Sequence, residues 1–91
     1  MIIRSQDKKR ITDDLKLHIY LNDFIKENPK WQIHTSSHDC IGTYSTEEKA
    51  IKVLDMIQEE YQIPIYQNTV AENEVATYRN TVFQMPADAE V

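Results

Sequence analysis

The sequence predicts an α+β fold: a small antiparallel sheet of four to five strands, with one main amphipathic helix over residues 46–61 packed on one face. Three observations carry this reading. The first half of the chain holds short runs of β-branched and alternating apolar residues, the middle holds one capped amphipathic stretch, and 91 residues suffice for a single core. Residues 1–86 read as one domain and 87–91 as a short flexible tail.

The strands come first. Met1-Ile2-Ile3-Arg4-Ser5 is short and β-branched, and Asp7-Lys8-Lys9 supplies a turn into a second short strand near Arg10–Thr12. Leu15, Leu17, Ile19 and Leu21 alternate with Lys16, His18 and Tyr20, which is the strand period. Leu17, Leu21, Phe24 and Ile25 also fit a helical stripe, but a strand through Leu21 followed by a loop over residues 22–29 is the reading adopted. Trp31, Ile33 and Thr35 alternate as a partner strand, and Ser36–Asp39 turns the chain into a further strand over Cys40–Tyr44. The single glycine, Gly42, predicts a bulge or a close approach, and turns that need positive φ are expected on Asn or Asp.

The helix follows directly. Ser45-Thr46-Glu47-Glu48 has the capping-box spacing, with the Ser45 hydroxyl accepting from the Glu48 N–H and the Glu48 carboxylate reaching back to Ser45. Ala50, Val53, Leu54, Ile57 and Tyr61 form one apolar stripe, and Pro64 is expected to stop the helix near Tyr61. Thr69–Glu72 offers a weaker cap for a short second helix carrying Val75 and Tyr78, and Thr81–Met85 reads as a last strand closed by Pro86.

Composition excludes several functions. The net charge of −5 is uneven, with seven basic against six acidic residues over 1–45 and three against nine over 46–91. That distribution excludes general nucleic-acid binding, which needs a basic stripe to neutralise phosphates. No apolar run has the length of a membrane span, and the lone Cys40 forms no internal disulfide, so a cytoplasmic location is expected.

No cofactor, metal site or catalytic group is expected. His34, His38 and Cys40 with His18 have donor chemistry for zinc, but two solvated turn histidines and a buried thiol account for them as well. Cys40 and His38 lack an oxyanion donor or orienting group, and Asp13-Asp14 reads as a turn.

The candidate ligand-binding surface is anionic in preference. Arg4 offers a bidentate guanidinium, Ser45 and Thr46 lie where free helix N–H groups collect, and Tyr78 with Arg79 adds a ring and a second guanidinium. Pairing of Arg4 with Asp55 or Glu59 would remove that site. A one-helix sheet also leaves an edge or face to protect, so a homodimer is expected.

Three segments, "MIIRSQD", "GTYSTEEKAIKVLDMIQEEY" and "VFQMP", together resemble a group of small, mostly uncharacterised phage, prophage and Gram-positive bacterial proteins. An N-terminal RSQD, a GxYSTEEKAxxVLD helix start and a terminal MP recur in that group. Its size and layout are similar to phage proteins that sequester nucleotide immune signals. The resemblance implies a non-enzymatic accessory binding protein that counters host defence by sequestering a nucleotide-type signal. The alternative is a protein-interaction module whose acidic surface blocks a host defence protein such as a nuclease. No catalytic residue is carried over.

Overall fold

The computed structural model describes the backbone of residues 1–70 and 82–91, with side chains described for 1–61 and 82–91. The fold is α+β. Among the described residues six strands form two three-stranded sheets, and one α-helix packs against the second.

The first sheet holds β1 (Ile2–Arg4), β2 (Ile11–Thr12) and β6 (Val82–Gln84) in the order β2-β1-β6. β1 and β2 are antiparallel, whereas β6 joins β1 in parallel, with Ile3 opposite Phe83. The second sheet is an antiparallel meander of β3 (His18–Asn22), β4 (Lys30–His34) and β5 (Cys40–Tyr44). The expected single antiparallel sheet is therefore two smaller ones. Strand-period residues recur across the first half of the chain, but that signal is silent on which strands share a ladder.

The turn residues differ from expectation for a local reason. Among the described residues positive φ falls on Lys8 (66°) and His38 (67°), not on Asn or Asp. Each turn is held by side chains around it: Asp7 Oδ1 accepts from the Ser5 hydroxyl and the Lys9 N–H, and Thr35 Oγ1 accepts from the Ser37 and Asp39 N–H groups. The Ser5 hydroxyl draws Asp7 below the usual carboxylate range, and the Ser36 hydroxyl does the same to Asp14 across the β2–β3 and β4–β5 connections.

The helix, α1 (Glu47–Val70), runs past Pro64 to Val70, nine residues beyond the expected end at Tyr61. An interior proline loses its bond to the carbonyl four residues back and crowds that carbonyl, but its φ is already helical and the helix continues through it here. The N-cap also shifts by one. Thr46 Oγ1 accepts from the Lys49 N–H at 3.2 Å, while the Ser45 N–H and hydroxyl both turn to Asp88 Oδ1 at 2.8 and 3.1 Å. Thr46→Ala is accordingly expected to lower stability by about 1 kcal/mol in a urea melt. No shift, or an effect confined to Ser45→Ala, would place the cap back at Ser45.

The core lies between the sheets and the helix. Ala50, Val53 and Ile57 from α1 meet Ile33, Ile41 and Tyr44 from the second sheet and Ile3 and Met85 beside the first. Leu54 is half-buried and Tyr61 exposed, so the apolar stripe narrows toward its C-terminal end. Residues 87–91, expected as a tail, hold a 3-10 turn at Asp88–Glu90, and Val91 packs against the core. The second helix expected from residue 69 onward overlaps the end of α1, and its remainder lies outside the described residues.

Candidate functional site

The RSQD, GxY and MP segments converge on one place. Gln6, in the turn after β1, donates from Nε2 to the carbonyls of Thr43 and Pro86, both at 3.1 Å, and accepts from the Thr43 N–H at 2.9 Å. Its backbone N–H donates to the Ile41 carbonyl at 2.8 Å. Gln6 thereby occupies the free edge of β5 as a neighbouring strand would, and ties it to the chain just after β6.

Gly42 and Tyr44 supply the second half. A Cβ at Gly42 would lie 2.9 Å from both Met85 Cε and Tyr44 Cε2, so only glycine admits their close packing. The Tyr44 ring is buried, and its hydroxyl donates to the Pro86 carbonyl at 2.8 Å. Burial pushes the Tyr44 hydroxyl well above its ordinary range, with Asp88 adding to it, so it stays a donor. The Pro86 carbonyl thus takes two bonds, one from each of the other motifs.

Gln84 Nε2 closes the arrangement by donating to the Ser5 and Met85 carbonyls at 2.9 and 3.0 Å. The RSQD, GxY and MP segments are a clasp between the two sheets.

A cleft beside this clasp is lined by Ser5, Gln6, Asp7, Arg10, Cys40 and Thr43. Its polar groups already have partners. Arg10 Nη2 donates to the Cys40 carbonyl, Ser5 Oγ accepts from the Arg10 N–H, and the Cys40 thiol donates to the Gly42 carbonyl at 3.4 Å. The cleft presents closed hydrogen bonds and no convergent set of open donors.

Arg4, Ser45 and Thr46 of the expected anion surface each have partners of their own. Arg4 is exposed and its Nε donates to the Lys8 carbonyl at 3.1 Å, across its own turn. It makes no ion pair with Asp55 or Glu59, and no bond among the described residues links it to Ser45 or Thr46. Ser45 is bonded to the Asp88 carboxylate, and Lys49 Nζ reaches that residue too, 2.9 Å from its carbonyl and 3.5 Å from Oδ2. The Ser45 N–H holds Asp88 below the usual carboxylate range, so at neutral pH a fixed negative charge stands where a bound phosphate would go. Tyr78 and Arg79 lie outside the described residues.

The histidines cluster on the outer face of the second sheet. His18 lies opposite His34 in the β3–β4 register, with ring centroids 5.7 Å apart, and His38 is 6.1 Å from His18. The Tyr20 ring stacks on His34 at 4.9 Å, and His34 Nε2 lies 2.9 Å from Gln32 Oε1. Desolvation, then the neighbouring imidazoles, lower the His34 pKa and favour its neutral form. Among the described residues no group of three His, Cys, Asp or Glu is arranged to hold a metal ion.

Two surfaces escape sequence reasoning. Phe24 is 92% exposed and Ile25 60% exposed in the loop after β3, beside exposed Tyr20 and Leu21. The signal was present in the two apolar residues placed in a loop. The solvent face of α1 carries exposed Glu47, Glu48, Asp55, Glu59 and Glu60 with only Lys52 exposed among them, Lys49 being turned to Asp88. Among the described residues no helix is long and apolar enough to cross a membrane.

Comparison with protein-family models, with curated proteins and with solved structures finds no match to this chain. The motif resemblance therefore rests on the residues themselves.

Proposed function

We propose that this protein is a non-enzymatic protein-interaction module that presents the acidic face of α1 to a basic patch on a partner protein. The observation that carries this reading is the Asp88 carboxylate bonded to Ser45 at the helix start. An internal anion there disfavours a nucleotide at the same donors, and Arg4 is directed to its own turn. What remains exposed and charged on the described helix is the acidic row Glu47, Glu48, Asp55, Glu59 and Glu60, interrupted only by Lys52. Such a row steers association with a basic surface and accelerates encounter.

The motif resemblance supports the setting: a phage or prophage accessory protein in the cytoplasm of a bacterial host that blocks a host defence protein, such as a nuclease with a basic substrate groove. The nucleotide-sequestering reading keeps Arg4 and Arg79 as its residues and loses the helix start.

The test is capture from a bacterial lysate on the immobilised protein, with partners identified by mass spectrometry and compared with an Asp55→Lys/Glu59→Lys variant. A basic partner held at low salt, released as salt rises and lost in the variant is the expected result. Native mass spectrometry showing a stoichiometric nucleotide on the purified protein would overturn the reading in favour of sequestration.

A further inference from the structure

The four outer strands of the two sheets are unequal. β2 and β6 have two and three residues, and β5 is covered by Gln6 and by the Arg10 guanidinium on the Cys40 carbonyl. β3 is different: five residues, His18–Asn22, paired on one side only among the described residues and without Lys, Arg, Asp or Glu among them. Natural sheets guard such edges with charge, bulges or cover, and an unguarded edge is a template for another strand.

The surroundings of β3 specify the occupant. A two-fold axis that relates adjacent antiparallel strands stands perpendicular to the sheet, so each residue opposes one of equal parity. The register that pairs all five residues is centred on Tyr20, which opposes itself. Ile19 then faces Leu21 of the second copy on the helix side, and His18 faces Asn22 on the other.

Continued past the strand ends, the same register brings Lys16 of each copy within one position of the other's Asp23. It also sets Ile25 level with the second copy's Leu15 and Phe24 level with its Lys16. Leu15 and Leu17 form one wall of an open apolar groove whose other wall is Leu54, Ile57 and Tyr61 of α1. Ile25, itself exposed, and the apolar groove thus meet on the helix side when the edge pairs with itself.

We propose that two copies of this chain join β3 to β3 about a two-fold axis at Tyr20, forming one six-stranded sheet. Ile25 of each copy seats against the Leu15–Leu17 groove of the other. Both helices then lie on the same side of the joined sheet. This inference stands apart from the function proposed above, since the acidic helix faces take no part in it.

Sedimentation equilibrium of the full chain at tens of micromolar is expected to give twice the 10.7 kDa chain mass. Ile25→Asp, and separately Tyr20→Lys, which sets two ammonium groups across the axis, should each weaken the dimer about tenfold or more. Far-ultraviolet circular dichroism checks that both variants stay folded. In a Cys40→Ser background, Tyr20→Cys is expected to form an interchain disulfide under mild oxidation, because only a self-opposed residue meets its own copy at bonding distance. A monomeric parent, or a dimer unmoved by both charged variants and uncrosslinked by Tyr20→Cys, would overturn the proposal.

Discussion

Val53→Asp is expected to abolish cooperative folding. Val53 is fully buried at the centre of the α1 stripe, between Ala50 and Ile57, where among the described residues the buried core holds no cation to pair a carboxylate. An unpaired buried carboxylate costs several kcal/mol, against a total stability of about 5 kcal/mol for a domain this small. Circular dichroism should show no sigmoidal thermal transition. A cooperative melt near the parent's would mean that this face of the helix is not the one packed on the sheets.

The second large effect is expected at Gln6. Gln6→Ala removes three side-chain hydrogen bonds and leaves the Thr43 N–H and the Thr43 and Pro86 carbonyls short of partners. The site is partly buried, so water restores some of the loss, and the expected destabilisation is about 2–3 kcal/mol in urea denaturation. Gln6→Glu should be nearly as damaging, since a carboxylate accepts from the Thr43 N–H but cannot donate to either carbonyl. A loss below about 0.5 kcal/mol for both variants would show that the sheets are held by apolar packing alone.

The helix was legible because its signals are local. Ala50, Val53 and Ile57 sit three and four residues apart, and their burial follows from that spacing. The strands of the meander were legible for the same reason, as was the close approach at Gly42. The Gly42 prediction gained its meaning only when the residues crowding it, Met85 and Tyr44, were in place.

What escaped the sequence depends on partners far along the chain. The parallel pairing of β6 with β1 joins residues 80 positions apart, and no period or cap encodes it. Gln6 reads as an ordinary polar turn residue until Thr43 and Pro86 come beside it. Ser45 has an ideal capping sequence, but Asp88 competes for it and wins both its N–H and its hydroxyl. Arg4 illustrates the converse: its chemistry suits an anion, and its geometry directs it to the Lys8 carbonyl four residues away. Residue type gave the capacity of each group, and tertiary placement decided its use.

A double-mutant cycle at the Pro86 carbonyl tests most directly that the three motifs form a structural clasp. Gln6→Ala and Tyr44→Phe each remove one donor from that oxygen, at 3.1 and 2.8 Å in the parent. The clasp predicts that each variant loses stability in urea and that the pair couples by about 0.5 kcal/mol or more, because the oxygen is stranded only when both donors are gone. Two variants that melt as the parent does, add independently and instead lose a bound ligand or partner would contradict it.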